Sequence, residues 1–520
     1  MYLLSKDFFM KNAIKHKFFP VYKKLKLDTE TIISAFLKVR DDYKYFYLLE
    51  SVEGNANIGR YSFIGLGADL IFKAKGNEIT LIDKEETTIR ISEHKNPIKD
   101  LEVLVKSLES DIDFNLPPFY GGAVGYIGYD AIRYFEKIAH DPKKDDLNIY
   151  DMYFIFAKDI IVFDKVRNSI TILANVMVGD NLEQSYDDAV SRIERLESKL
   201  SNALSEPKIL QPATQTLKFT SNTKKQDFLE MVNRGKQYIY DGDIFQVVLS
   251  QRFETEYPHD DFEIYRKLRS INPSPYMFYL KFDDYSTIGA SPEVMVKSID
   301  NKILVRPIAG TRSRGKTPQQ DLAFAKELLA DEKECAEHMM LVDLGRNDVG
   351  RVAKPATVKL DTKMVIERYS HVMHIVSQVI GEVDSVQGFS EIFGATFPAG
   401  TVSGAPKIRA MEIIEELEKN KRGVYSGSVA YLNGKGNFDT CIAIRTIFKK
   451  GDKLYVQAGA GIVADSVPET EFNETLNKAK AVFSAVAETL GMNDLEFEYI
   501  KKESAVLCHN VQDPDVEAKK

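Results

Sequence analysis

Residues 424–458 read VYSGSVAYLNGKGNFDTCIAIRTIFKKGDKLYVQA, and this stretch decides the fold class. The runs 424–432, 438–448 and 453–458 are rich in β-branched and aromatic residues. Together they read as a meander of antiparallel strands whose first turn is Asn433-Gly434, a dipeptide that accepts the positive φ angles of a tight hairpin.

Working outward, 276–282 and 285–288 form a hairpin across Asp283-Asp284, and 244–253 is a further strand. Helical spacing marks 224–241, 318–343, 405–419 and 469–490. Towards the N-terminus, 62–70, 79–82, 152–163 and 170–178 read as strands. The segment 181–197 reads as a helix with Tyr186, Ala189, Ile193 and Leu196 on one face. Antiparallel runs with helices grouped between them predict an α+β protein, not a doubly wound α/β one. The polar, proline-containing stretch 198–223 separates two halves. The expected division is an N-terminal region 15–200, a linker 201–223, a C-terminal region 224–500 and a polar tail 501–520.

The chain has 520 residues, 44% hydrophobic and 28% charged, with a formal net charge of −8. That is globular composition, long enough for more than one core or one large one. It lacks the basic face of a nucleic-acid binder. The basic run 11–26 is broken by Pro20 and reads as a solvated segment. No stretch approaches the ~20 apolar residues of a membrane span, and Lys6 and Asp7 interrupt the start where a secretion signal would be apolar. Cys335, Cys441 and Cys508 are far apart, with no CxxC pair. A cytoplasmic protein with no nucleic-acid or membrane partner is expected. Tryptophan is absent from the chain.

Two carboxylate pairs stand at helical spacing, Glu334 with Glu337 and Glu471 with Glu474. Residues i and i+3 share a helix face, so each pair presents two carboxylates in one direction. Four carboxylates on one site would need a cation between them, and oxygen ligands suit Mg²⁺. Two solvated helix faces account for the same spacing. Three glycine-bearing stretches, RPIAGTR (306–312), AGTVSGAPK (399–407) and QAGAGIV (457–463), are read as anion-holding loops or plain turns. In the second, Ser403 is placed as a helix cap with Pro406 in the first turn and Lys407 beside a positive helix end. Arg445 falls among small residues on the face of Asp439, Cys441 and Ala443, where it needs an acidic partner or an anionic ligand. His374 reads as a core histidine or a catalytic one.

Taken in order, ASPE, PIAGTR, DEKECAEHMMLVDLGRNDVGRV, AGTVSGAPK, RGVYSG, FDTCIAIRT and QAGAGIVADSVPETEFNET resemble the chorismate-utilising enzymes, which include the anthranilate, aminodeoxychorismate, isochorismate and salicylate synthases. The likeness extends into the N-terminal half through YLLESVEGNANIGRYSFIG. It implies an α+β fold of two orthogonally packed antiparallel sheets with flanking helices. Glu337 and Glu474 resemble direct Mg²⁺ ligands, and Glu334 and Glu471 resemble ligands acting through water. Gly310, Thr311, Tyr425, Arg445, Gly459, Ala460 and Gly461 resemble contacts to chorismate. Glu293 resembles the acid that protonates the departing C4 hydroxyl, and that job needs a pKa raised by burial. His374 resembles the histidine that assists pyruvate elimination, and Thr401 a residue lining the same cleft.

Two positions separate the family members. Aminodeoxychorismate synthases resemble PIKGT where this chain has Ala309, which cannot act as a nucleophile. Water-adding members place a lysine base where this chain has Gln246. Ala309 with Gln246 therefore points to ammonia as nucleophile and anthranilate as product, the first step of tryptophan biosynthesis. Ser51, Pro275, Tyr276 and Met277 resemble a tryptophan site, which implies allosteric feedback inhibition. The sequence has no glutaminase elements, so a separate glutamine amidotransferase subunit, in a heterotetramer, is expected to supply ammonia.

Overall fold

The computed structural model describes residues 2–26, 29–52, 59–109, 116–138, 144–179, 181–204, 217–369, 372–492 and 495–499. The middle of the expected linker (205–216), the polar tail 501–520 and Cys508 lie outside the described residues. Two sheets organise the chain, with helices against them, as the α+β reading expects. Nearly every neighbouring pair is antiparallel; Leu217–Ser221 runs parallel to Leu495–Tyr499.

Each sheet has one seam between the two halves of the chain. In the first sheet the N-terminal strands end at Phe46–Glu50, which pairs with Tyr276–Lys281. In the second they end at Ala123–Ile127, which pairs with Ser428–Leu432. The helix Leu182–Ser201 covers the strand Ser169–Met177, burying Tyr186, Ala189, Ile193 and Leu196. Pro468–Thr489 packs on Lys453–Ile462, and Glu332–Gly350 packs on Ile308–Ser313 and Val372–Glu382.

Three runs that read as single strands are pairs of strands in different sheets. The run 62–70 divides into Tyr61–Leu66 of the first sheet and the start of Leu70–Lys75 of the second, and 152–163 into Met152–Phe156 of the second and Asp159–Asp164 of the first. The run 438–448 divides into Phe438–Ile442 of the second sheet and Thr446–Lys450 of the first. A fourth crossing joins Tyr285–Ser291 to Val294–Ile299. Hydrophobicity stays high through these corners because both flanks are buried, so periodicity cannot reveal the change of sheet.

Other expectations shift too. The helix read over 318–343 is two, Pro318–Ala330 and Glu332–Gly350. Asp331 leaves helical geometry between them, and its carboxylate accepts from the N–H groups of Lys333 and Glu334 as the N-cap of the second. Ser403 does not cap Lys407–Leu417. Its hydroxyl donates to the Ala399 carbonyl at 2.9 Å, and Pro406 is the residue that precedes the helix. Lys407 faces no ligand site, being buried against Asp348 and the Thr396 carbonyl, each at 2.8 Å. The stretches around Gly310 and Gly459–Gly461 are not loops but parts of the strands Ile308–Ser313 and Lys453–Ile462.

Candidate functional site

Two of the four corners carry the expected site residues. Glu293 lies between Tyr285–Ser291 and Val294–Ile299, and Arg445 lies between Phe438–Ile442 and Thr446–Lys450. These four strands run side by side through both sheets. At the crossing, Ile442 N–H donates to the Glu293 carbonyl at 3.0 Å and Ala290 N–H to the Arg445 carbonyl at 3.2 Å. The backbone therefore fixes the two corners against each other.

Glu293 is buried, and desolvation pushes its pKa up to about 8 against bonds from Thr401 and the Ile308 N–H that favour the charged form. A carboxyl that must carry a proton near neutrality needs this environment. The Thr401 hydroxyl donates to Glu293 Oε1 at 2.8 Å. Arg445 has φ +51°, and its guanidinium is half-buried with no carboxylate at ion-pair distance among the described residues. Burial lowers its pKa, against the Tyr425 and Glu474 charges. Of the two readings of this arginine, the salt bridge has no carboxylate partner among the described residues.

Next to Arg445, the strand Lys453–Ile462 pairs with Gln246–Glu256 along one edge, while its pairing with Thr446–Lys450 stops at Val456. Beyond that point no described strand covers the other edge, so Gly459, Ala460 and Gly461 present backbone there. A Cβ at Gly459 would come 2.8 Å from Tyr425 Oη, and one at Gly461 would come 2.5 Å from Gln246 Nε2. The glycines thus let Tyr425 and Gln246 close on the strand. Gln246 is buried and its Oε1 has no hydrogen-bond partner.

Opposite, Ile308–Ser313 bulges at Gly310, where φ is +68°. His374 stands across from Thr311, its Nδ1 2.9 Å from the Gly310 carbonyl and 3.1 Å from Thr311 Oγ1. A carbonyl only accepts, so Nδ1 carries the proton and Nε2 keeps a lone pair. Burial lowers the His374 pKa and Arg445 adds to this, against the hydrogen bond to the Gly310 carbonyl, which favours the charged ring.

The two carboxylate pairs lie within electrostatic reach of each other. Glu337 has its pKa raised by burial and by the charges of Glu334 and Glu474, and Glu471 by burial and by Glu474. Lys478 stands among them, 2.6 Å from Glu474. Sequence reasoning missed this lysine, although it lies four residues after Glu474 on the same helix face. Among the described residues no three acidic, His or Cys side chains converge at ligand distance. An all-oxygen donor set with surplus negative charge nevertheless fits a hard divalent cation such as Mg²⁺. Arg312 ties down the edge of the set, 3.2 Å from Glu334.

A cavity of about 330 Å³ opens between the sheets at their seams. Ser51, Pro275, Tyr276 and Met277 all line it, with Asp439 and Cys441 from the other sheet. Tyr276 Oη donates to Asp439 at 2.9 Å and Lys297 Nζ lies 2.6 Å from the same carboxylate. Lys165 donates to the Ser51 carbonyl at 2.6 Å.

Residues 45–484 match the family model described as chorismate binding enzyme. The chain is 43% identical to anthranilate synthase component 1 of Aquifex aeolicus (strain VF5), over 93% of this chain and 97% of that protein. It is 47% identical to the Acetivibrio thermocellus protein of the same name, over 92% and 97%. Among solved structures, anthranilate synthase component I from Streptococcus pneumoniae TIGR4 superposes with a TM-score of 0.73 at 36% identity, covering 88% of this chain and 98% of that one. The menaquinone-specific isochorismate synthase of Escherichia coli shares the fold, with a TM-score of 0.69 at 17% identity over 90% of this chain and 94% of that one. With one family model spanning most of its length and relatives of one kind covering nine-tenths of it, the chain belongs to the chorismate-binding enzyme family, on its anthranilate synthase component 1 branch.

Proposed function

We propose that this chain converts chorismate and ammonia to anthranilate, pyruvate and water with the corner residues as its machinery. The observation that carries the reading is the pairing of a buried Glu293, whose pKa is pushed up to about 8, with an arginine, Arg445, that has no counter-ion among the described residues. Chorismate carries two carboxylates. One is held by Arg445, Tyr425 and the backbone of Gly459–Gly461, and charge-assisted bonds to a guanidinium orient it. Mg²⁺, when bound by Glu337 and Glu474 directly and by Glu334 and Glu471 through water, supplies positive charge for the other.

Glu293 gives its proton to the C4 hydroxyl, which leaves as water while ammonia bonds to C2 and the double bonds shift, and the proton shed by the new ammonium restores the Glu293 carboxyl. Thr401 keeps the Glu293 carboxyl aimed. The C2 proton then leaves as the C3–O bond breaks, and the neutral Nε2 of His374 is the base poised to take it. The enolpyruvyl fragment departs and is protonated to pyruvate, and the ring becomes aromatic. Gln246, a neutral amide, cannot deprotonate water, which favours ammonia as nucleophile. Gly310 and Thr311 hold the backbone and hydroxyl that position His374.

Ammonia is supplied by a glutamine amidotransferase subunit in a heterotetramer. The component 1 naming of the relatives supports this. No described helix is long and apolar enough to cross a membrane, in keeping with a cytoplasmic reaction. The seam cavity takes tryptophan as feedback inhibitor. Its volume suits a small ligand, and the strand Phe438–Ile442 links its Asp439 and Cys441 to the Glu293 carbonyl through the Ile442 N–H. The test is anthranilate fluorescence from purified chain, chorismate, Mg²⁺ and ammonium at alkaline pH, with and without tryptophan. Product that EDTA abolishes and tryptophan suppresses supports all three parts. Consumption of chorismate without anthranilate would sink the assignment of Gln246 and Ala309.

A further inference from the structure

Behind the chorismate edge lies a buried ion pair that no step of the reaction touches. Arg422 is 2% exposed and Glu418 6%. All five N–H groups of Arg422 are used. Nε donates to Glu418 Oε2 at 2.9 Å and Nη2 to Glu418 Oε1 at 2.6 Å. Nη2 also reaches the Val248 carbonyl at 2.7 Å, and Nη1 the Val402 carbonyl at 2.8 Å and Ser426 Oγ at 3.2 Å. The guanidinium lies over the rings of Tyr129 and Tyr425, at 4.7 and 5.5 Å from their centres. Glu418 Oε1 in turn accepts from Ser250 N–H at 2.9 Å and Ser250 Oγ at 2.8 Å.

These partners are the immediate neighbours of the working groups on both sides of the site. Val402 follows Thr401, which holds Glu293. Val248 and Ser250 pair across the ladder with Gly461 and Gly459. Ser426, with φ +63°, follows Tyr425. As a source of stability a buried ion pair is a poor choice, since apolar replacement is often neutral or better. As a spacer it is well suited, because a planar fork with every donor engaged fixes several backbone segments at once.

We infer that the Glu418–Arg422 pair is a positioning unit that sets the distance between the proton donor and the carboxylate-holding edge of the chorismate site. This rests on the roles proposed for Glu293, Tyr425 and Gly459–Gly461. Lysine keeps the charge at 422 but loses the fork, so Arg422→Lys should not rescue.

The test compares wild type, Arg422→Lys and the milder Ser250→Ala. Thermal unfolding, kcat and KM for chorismate, and chorismate affinity by calorimetry are measured for each. Arg422→Lys is expected to unfold cooperatively, with KM and Kd raised about tenfold or more and kcat reduced, because displacements of ~1 Å are costly to an aligned site. Ser250→Ala removes the bond to Glu418 and one that Ser250 Oγ accepts from Gln457 Nε2 at 2.8 Å, and is expected to raise KM about threefold or more. If Arg422→Lys does not fold, Ser250→Ala decides, and an unchanged KM overturns the inference. A folded Arg422→Lys with KM, Kd and kcat within twofold of wild type overturns it as well, as does a loss confined to kcat in proportion to the unfolded fraction. Wild-type chain that binds chorismate but makes no anthranilate defeats the proposed reaction instead, and the calorimetric comparison still reads the positioning role.

Discussion

The hydroxyl of Thr401 donates a 2.8 Å hydrogen bond to Glu293 Oε1, the strongest local influence favouring the charged form of a carboxyl that burial otherwise keeps protonated. With its pKa at about 8, Glu293 holds its proton through neutrality and loses it above. At a fixed concentration of NH₃, kcat is expected to fall as pH rises through that value. Thr401→Val removes a bond to the charged form, so the alkaline limb should move upward. A limb that stays put in the variant would show that Glu293 is not the group titrating.

The same carboxyl makes a statement about stability. Its pKa is raised on folding, so the folded chain holds a proton that the unfolded chain has already released above pH ~4.5. Stability contributed by this group therefore declines from that pH up to about 8, and the full penalty remains above. Glu293→Gln should match wild type in Tm at pH 5 and exceed it by several degrees at pH 9. Its turnover should be lower by about 10²–10⁴, the contribution of a positioned acid.

Arg445→Gln is expected to raise KM for chorismate about 10–100-fold, the value of lost charge-assisted bonds, without lowering Tm. A guanidinium with no ion-pair partner among the described residues offers the fold little to lose. A marked drop in Tm with KM unchanged would give Arg445 a structural role and remove it from the substrate site.

Mg²⁺ should raise the Tm of the wild-type chain, by an amount equivalent to about 2.7 kcal/mol at one hundred times Kd. Glu337→Gln and Glu474→Gln should abolish that shift. With EDTA present, Lys478→Met should be less stable than wild type, since its ammonium is the positive charge nearest the carboxylates. Equal Mg²⁺ shifts in wild type and both glutamine variants would place the metal elsewhere.

Because the chain contains no tryptophan, added tryptophan is the only indole in solution, and its own emission reports binding. A blue shift and increased anisotropy are expected for wild type. Ser51→Phe, which fills the seam cavity, should abolish both and should leave anthranilate formation intact but insensitive to tryptophan.

Much of the site was legible because its chemistry sits in short local patterns. The Glu334/Glu337 and Glu471/Glu474 spacings are helical, and the glycines beside Tyr425 and Gln246 are where a side chain would collide. What joins the two carboxylate pairs is tertiary: Glu337 and Glu474 are 137 positions apart in the sequence, and only the resemblance connected them. The corners escaped notice for another reason. By sequence Arg445 continues an alternating strand, whereas its left-handed backbone ends one strand and begins another in the other sheet. Lys478 and Arg422 look like ordinary charges in helical or turn sequence. Arg422 takes its place from the carbonyls of Val248 and Val402, which carry no side-chain signal.

The two seams have a consequence for how the chain is made. Translation delivers Phe46–Glu50 and Ala123–Ile127 long before Tyr276–Lys281 and Ser428–Leu432, the strands that cover them. At roughly 5–20 residues per second, the nascent N-terminal half waits on the order of tens of seconds with an open edge in each sheet. Such edges recruit other strands. The ribosome-bound chain should therefore depend on holding chaperones until its last third emerges, and pausing within 128–275, when both edges are open, should lower the yield of soluble protein more than pausing elsewhere.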